Sequence, residues 1–410
     1  MRFPVGARRP LPATLLFVLS ALLALVLVPD SPAHAYNTGR SPCALQGTTG
    51  WTDEGQQTDY TTFQQPFDPS GPSSSKTIHV GMLYVDFPDA AGTGNLADYY
   101  NRLSPAANWM WNASHGRTWL DIQAPLNQWL RMPSNATAYG WPGTPPYAQQ
   151  QRYVLDAATA ASKAGVDLSQ YDMLYIVPTT NAATISNSPT YIWDPSNPGV
   201  VVGNTTVKWA VTFGQDIWGA WGYKIVDHET SHTFGLPDLY AFSGSRDQYV
   251  GGWDIMGYIG GPGPQYFGWE SWKFGWIDDT QVSCLSTQGT SYRTTLNAVE
   301  YGPTSGTYKL VVLKTSATAA YVVESRRSAY NDPSLCSQGV LIYKVDTSTQ
   351  TSNGPIQVLS NPNAPAPKGS CEAQDMDTWQ PGQKFTDPAT NVTISVVSSD
   401  QYNDTVDTSM

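Results

Sequence analysis

The sequence is short of histidine, cysteine and charged residues. Only five histidines and four cysteines occur in 410 residues, and 13% of the residues are charged. No Cys-x-x-Cys pair is present, which excludes the metal and redox sites built on that spacing. The 33 acidic residues outnumber the 22 basic ones, and an acidic chain argues against a nucleic-acid partner.

Long apolar runs are also lacking, except at the amino terminus. A basic stretch precedes an apolar run from 11 to 28, which ends shortly before the small residue Ala33. This order is typical of a secretory signal peptide. A transmembrane anchor is the alternative, but the run is short for a bilayer and contains Pro12. We therefore expect residues 1–35 to be a signal peptide and the rest to be secreted without a membrane anchor.

Four cysteines in an exported chain fit two disulfide bonds. Cys43, Cys284, Cys336 and Cys371 allow three pairings in principle. We favour Cys336 with Cys371, since both lie in the C-terminal region, which leaves Cys43 for Cys284. An alternative is a free Cys43 thiolate that caps a metal ion in a precursor.

Composition divides the exported chain into three parts. Residues 36–75 are rich in Gly, Ser, Thr, Pro and Gln, which predicts an extended leader or linker, either a removable pro-segment or a strap along the catalytic domain. Residues 76–278 alternate predicted strands and helices, as in an α/β or α+β catalytic domain. Residues 279–410 predict a smaller all-β, sandwich-like domain.

The hydrophobic period predicts individual elements. Alternation over Thr77–Phe87 and the apolar run Tyr171–Pro178 indicate strands, and the spacing over Tyr147–Lys163 indicates a helix that ends near Gly165. In the C-terminal region the predicted strands are Tyr308–Leu313, Ala320–Glu324, Val340–Val345 and Val392–Val397.

The most informative stretch begins His-Glu-Thr-Ser-His at residue 228. On a helix, His228 and His232 lie one turn apart on the same face, so both imidazoles can bind one metal ion, with Glu229 beside the first ligand. An ordinary amphipathic helix with two histidines is the alternative. We interpret His79 and His115 as residues without a role at the metal.

The residues after this helix supply the rest of the pattern. Gly235 and Pro237 end the helix sharply, which brings Asp238 back as a third ligand. Three protein ligands leave one tetrahedral position for water, the arrangement of catalytic zinc. Asp227 and Glu270 are rival carboxylates. Asp227 points off the ligand face, so we expect it to contact a ligand residue or to lie at the surface. Glu270 lies far downstream.

Three blocks carry a resemblance to a known family. HETSHTFGLPDLY, VGGWDIMGY and YFGWESWKFGWI, all within 226–277, are similar to the immune inhibitor A type of metzincin metalloproteases. The resemblance implies that His228, His232 and Asp238 bind Zn²⁺. It also implies that Glu229 is the general base that activates a water.

The resemblance assigns two further residues and a function. Met256 would be the methionine of the Met-turn beneath the metal, with a packing role. Tyr258 stands where some metzincins carry a tyrosine that stabilises the oxyanion, and a buried aromatic or substrate-wall residue is the alternative. The implied protein is a metzincin-like, secreted zinc endopeptidase that hydrolyses extracellular proteins or peptides, and we expect a monomer.

Other ligands and functions stay open at this point. Asp247, Asp254, Asp278 and Asp279 are compatible with Ca²⁺, although no EF-hand pattern is present. The tryptophans near the motif suggest core packing, which we favour, or carbohydrate binding. A glycan-associated module that has lost activity is one alternative, against which the intact Glu229 argues. A smaller neutral metalloprotease with the same motif is the other, against which the chain length argues.

Overall fold

The computed structural model describes residues 41–45, 76–141, 143, 145–193 and 199–410. The predicted signal peptide and most of the predicted leader lie outside these residues. The described residues all belong to one compact unit, Thr38–Met410. Within them, no helix combines the length and the apolar character that a membrane span requires.

Short helices and many strands alternate along the described chain. The helices are α1 (Leu96–Leu103), α2 (Ala106–Ala113), α3 (Ala136–Tyr139), α4 (Tyr147–Lys163), α5 (Tyr223–Thr233) and α6 (Gly268–Lys273). The strands of the first part are β1 (Lys76–Asp86), β2 (Thr118–Gln123), β3 (Leu130–Arg131), β4 (Met173–Pro178), β5 (Thr190–Ile192), β6 (Val200–Val202), β7 (Thr205–Val207) and β8 (Trp209–Thr212). The later strands are β9 (Val282–Leu285), β10 (Ser291–Asn297), β11 (Leu310–Lys314), β12 (Ala319–Arg326), β13 (Gly339–Asp346), β14 (Ile356–Val358), β15 (Lys384–Asp387), β16 (Val392–Ser399) and β17 (Asn403–Ser409).

The first sheet has the order β2-β1-β4-β8-β5, and β3 also pairs with β1. All these pairs are parallel except β5 with β8, which is antiparallel at the sheet edge. The apolar strand β4 is buried along its whole length because helices cover both faces. Leu174 shares an apolar cluster with α4, whereas Tyr175 shares one with α5. This mixture of helices and a mainly parallel sheet fits the predicted α+β class.

Two further sheets form the C-terminal region. One has the order β14-β13-β12-β11-β9 and the other β10-β17-β16-β15. Side chains of both meet in one apolar cluster, so these sheets lie in two layers, as predicted for a sandwich-like region.

The five-stranded sheet is buried on both faces, and β12 shows why. Along β12, Ala320 and Val322 belong to the apolar cluster that also contains α5, whereas Tyr321 and Val323 belong to the cluster between the two C-terminal sheets. Successive side chains of a strand point to opposite faces. The boundary predicted at residue 278 therefore separates segments that share a hydrophobic core.

All four cysteines are paired in the structure. Disulfide bonds join Cys43 to Cys284 and Cys336 to Cys371, the pairing that we favoured from the sequence. The alternative of a free Cys43 thiolate near a metal is therefore wrong. Lys314 Nζ also donates to the carbonyl oxygen of Ala44, at 2.8 Å. The described part of the leader is thus tied to β9 and β11.

The strongly patterned elements match their predictions. Helix α4 has the predicted bounds, and the six predicted strands correspond to β1, β4, β11, β12, β13 and β16 with ends shifted by at most two residues. The sequence analysis missed the short strands β5 to β8 and the polar strands β10, β15 and β17. In β17 every second residue is buried, but Val406 is the only large apolar one among them.

Candidate metal centre

Helix α5 positions the first two ligand candidates. It begins after Gly222, whose φ is +54°, and the chain turns again at Gly235, whose φ is +89°. His228 and His232 are one turn apart, their ring centroids are 5.0 Å apart, and both side chains are buried. The helix is anchored by Thr230, whose hydroxyl lies 2.6 Å from the hydroxyl of Tyr175 on β4. The predicted pair on one helix face is therefore present.

The turn after α5 brings Asp238 back to the same point. Asp238 Oδ1 lies 3.2 Å from His228 Nε2 and 3.5 Å from His232 Nε2. The three ligand atoms all lie within 4.8 Å of one another, a group that could hold a metal ion. The turn is held from α6, because Lys273 Nζ donates to the carbonyl oxygen of Gly235 at 2.7 Å.

Backbone carbonyls set the orientation of both imidazoles. His228 Nδ1 lies 2.9 Å from the carbonyl oxygen of Ile255, and His232 Nδ1 lies 2.9 Å from that of Leu236. A carbonyl oxygen only accepts, so Nδ1 of each ring carries the proton and Nε2 of the neutral ring presents its lone pair. Metal-binding histidines are commonly oriented in this way by a second partner.

The third ligand candidate has an unfilled acceptor. Asp238 is only 3% exposed, yet its Oδ1 has no hydrogen-bond partner among the described residues. Burial works to raise the pKa of Asp238, whereas the facing histidines, when charged, lower it below its usual range. A buried carboxylate oxygen without a hydrogen-bond partner is costly unless a cation meets it. The donor set therefore fits a metal ion.

The backbone of Asp238 is held by the loop between β13 and β14. Thr351 Oγ1 accepts a hydrogen bond from the Asp238 amide at 3.0 Å, and the Ser352 amide donates to the Asp238 carbonyl oxygen at 3.0 Å. The sequence analysis missed both contacts, since they join residues more than a hundred positions apart.

Glu229 lies beside the ligands with a different environment. Its side chain is half-buried, whereas the three ligand candidates are buried. Burial raises the pKa of Glu229 to about 7, against the opposing effect of His228 and His232. Thr190 Oγ1 lies 2.7 Å from Glu229 Oε2. The sequence analysis did not single out Thr190.

The turn that carries Met256 contacts the centre through its backbone. Asp254 has a φ of +70°, and its side chain accepts hydrogen bonds from the Met256 amide at 2.7 Å and from the Phe267 amide at 2.6 Å. The Leu239 amide donates to the Met256 carbonyl oxygen at 3.0 Å, and Met256 is fully buried. Its assignment as the methionine of a Met-turn stays a prediction.

Tyr258 lies at the edge of a cavity. It is half-buried, and its ring lies 6.1 Å from that of Trp221. Tyr258 and Arg246 are among the residues that line this cavity of about 590 Å³. The role of Tyr258 at an oxyanion stays a prediction.

The rival ligands and the other histidines lie elsewhere. Asp227 is fully buried, so the surface position considered for it is wrong. Glu270 is also buried, but it interacts with Asp254 and not with the histidines. His79 is exposed and lies 3.0 Å from Asp121. Within the described ranges, neither His79 nor His115 joins the ligand group.

The carboxylates considered for calcium mostly have protein partners. Asp278 pairs with Arg117 at 2.7 Å, and Asp279 accepts from Trp272 Nε1 at 2.7 Å. In the part of the chain that the structure describes, His228, His232 and Asp238 form the only group of three or more such ligands that is close enough to hold a metal ion. The tryptophans near the motif are buried, as favoured: Trp253, Trp269, Trp272 and Trp276.

Fold and site together define a mixed α and β protein with three buried side chains that could hold a metal ion and a carboxylate beside them. No protein-family model matches the chain, and a search of curated proteins finds no match. The function is therefore argued from the residues of the centre.

Proposed function

We propose that the protein is a secreted zinc-dependent endopeptidase that hydrolyses peptide bonds of extracellular proteins. The observation that carries the proposal is the convergence of His228 Nε2, His232 Nε2 and Asp238 Oδ1 within 4.8 Å of one another. The unbonded Asp238 Oδ1 and the neighbouring Glu229 strengthen it. The resemblance of this stretch to metzincin metalloproteases supports the same reaction.

The metzincin resemblance implies zinc, and this donor set is compatible with it. Two imidazole nitrogens and one carboxylate oxygen suit Zn²⁺, and a three-ligand set is typical of its catalytic sites. When bound, zinc lowers the pKa of a water from about 15.7 towards about 7 and polarises the scissile carbonyl. His228, His232 and Asp238 would hold it.

The residues of the chain supply the remaining steps. Glu229 takes a proton from the attacking water and later gives it to the leaving amine nitrogen. Glu229 is half-buried, so part of the residue is accessible to solvent. The carbonyls of Ile255 and Leu236 keep both imidazoles in the tautomer that binds a metal.

Secretion is supported by two features of the chain. The amino-terminal basic and apolar segments have the order of a signal peptide. Both disulfide bonds are compatible with an oxidising compartment outside the cell.

The proposal is tested with the purified secreted protein and its Glu229→Ala variant. Zinc content is measured together with casein hydrolysis, before and after chelation and after zinc is restored. We expect one zinc in both proteins and a loss of at least about a hundredfold in hydrolysis for the variant, since the general base is removed. The exposed Asp98→Asn variant is the control for the loss of a carboxylate.

Two results would contradict the proposal. Bound zinc without hydrolysis by the native protein would favour the glycan-associated alternative. Hydrolysis that survives Glu229→Ala unchanged would mean that Glu229 is not the base.

A further inference from the structure

Strand β5 is the last strand of the first sheet among the described residues and lies beside α5. Thr190, its first residue, pairs with Val211 of β8, which fixes the strand to the sheet. Its side chain is half-buried and reaches Glu229 on α5.

The contact between Thr190 and Glu229 has two parts. Thr190 Oγ1 lies 2.7 Å from Glu229 Oε2 and 2.7 Å from the carbonyl oxygen of Glu229. Both oxygens accept, so the single hydroxyl proton is directed between them. Oε1 of Glu229 has no hydrogen-bond partner among the described residues, and it is left free to accept a proton.

The backbone before Thr190 is fixed independently of Glu229. The carbonyl oxygen of Pro189 accepts from Thr212 Oγ1 at 2.7 Å and from Gln150 Nε2 at 3.0 Å. Ser188 Oγ donates to Asp216 Oδ1 at 2.6 Å. Thr190 therefore projects from a segment that both the sheet and α4 restrain.

We propose that Thr190 is a positioning residue for Glu229, and this inference rests on the proposed function. Its hydroxyl holds Oε2 and the adjacent backbone, so that Oε1 is the oxygen presented to the water. A carboxylate that rotates freely spends less time in the reactive geometry, and small displacements of a catalytic group are expensive in rate. Thr190 does not itself touch the reacting atoms.

Two conservative variants distinguish the effect of the Thr190 hydroxyl group from the effect of side-chain size. Thr190→Val keeps the shape and removes the hydroxyl, whereas Thr190→Ser keeps the hydroxyl and removes a methyl group. Thr206→Val is the matched control, because Thr206 is an exposed strand residue on β7.

The variants are compared by zinc content, by kcat and KM on a casein-derived peptide, and by crystal structures of the metal-free proteins. For Thr190→Val we expect kcat to fall about tenfold to a hundredfold while KM changes less than about twofold. Thr190→Ser and Thr206→Val should stay within about threefold of the native kcat. Zinc content should be unchanged, and the Glu229 carboxylate should move in the Thr190→Val crystal alone.

Three results would overturn the inference: a native kcat in Thr190→Val, a Thr190→Ser variant as slow as Thr190→Val, or an unmoved Glu229 carboxylate in the Thr190→Val crystal. Failure of the proposed function is distinct, because the native protein itself would then not cleave casein. The crystal comparison still decides the positioning contact in that case.

Discussion

Two buried clusters of polar side chains, one around Arg326 and one around Asp238, differ in whether a side chain of the cluster is a cation. At Arg326, the guanidinium group lies 2.8 Å from Glu300 and 2.9 Å from Glu324, and it also pairs with Asp332. All four side chains are fully buried. In the candidate metal centre, Asp238 Oδ1 is also buried but has no hydrogen-bond partner among the described residues. The first cluster contains a cation, the Arg326 guanidinium group. In the second cluster the three converging atoms are all acceptors.

The remaining contacts of the Arg326 cluster are structural. Asp332 Oδ1 accepts the Gln265 amide at 2.7 Å, and Glu324 Oε2 accepts the Gly268 amide at 2.7 Å. These contacts join the five-stranded sheet to the chain that follows Met256. A buried cluster that contains its own cation thus marks a joint in the fold, and a buried acceptor without a partner marks a candidate ligand site.

The largest effect should come from removing Asp238, the buried acceptor without a partner in the candidate metal centre. Asp238→Ala should abolish casein hydrolysis and weaken zinc binding by at least about a hundredfold, because one of three ligands is lost. Zinc should raise the melting temperature of the native protein and leave that of the variant unchanged. Calorimetry with and without zinc checks this. An equal shift in both proteins would place the metal elsewhere.

The next largest effect should come from removing the cation of the Arg326 cluster. Arg326→Met leaves three buried carboxylates without their partner, so we expect the free energy of unfolding to fall by about 3–5 kcal/mol. Urea unfolding followed by tryptophan fluorescence measures it. The exposed Arg152→Met variant is the control. An unchanged midpoint for Arg326→Met would show that the ion pairs do not hold the two regions together.

A smaller, pH-dependent effect is expected at the carboxyl pair Asp254 and Glu270. Burial raises the pKa of Asp254 to about 6, and burial together with the Asp254 charge raises that of Glu270 well above its usual range. A carboxyl group whose pKa is raised in the folded protein stabilises the fold at low pH. This contribution is lost as the pH rises, through about 6 for Asp254. Glu270→Gln removes one of the two titrating groups.

Glu270→Gln should therefore make the decline of stability between pH 5 and pH 8 shallower, by about 1 kcal/mol at the upper end. Urea unfolding at both pH values measures the difference. If the variant and the native protein lose stability in parallel, Glu270 does not titrate in this range.

Local patterns account for the elements that were predicted correctly. Helix α4 and strands β1, β4 and β12 have strong apolar periods, so their existence follows from the sequence alone. Strand β17 was missed because its period is carried by Thr, Asp and a single valine. Such residues take their strand conformation from pairing with β10 and β16.

The sequence by itself determined the spacing of His228, His232 and Glu229, because one helical turn fixes these relations locally. Gly235 and Pro237 likewise indicated that the chain turns before Asp238. Only the tertiary structure decided that Thr351 holds Asp238, that Thr190 holds Glu229 and that Arg326 completes its own cluster. These contacts join distant segments through the packing of sheets and helices, and no local period encodes which distant residue will lie opposite.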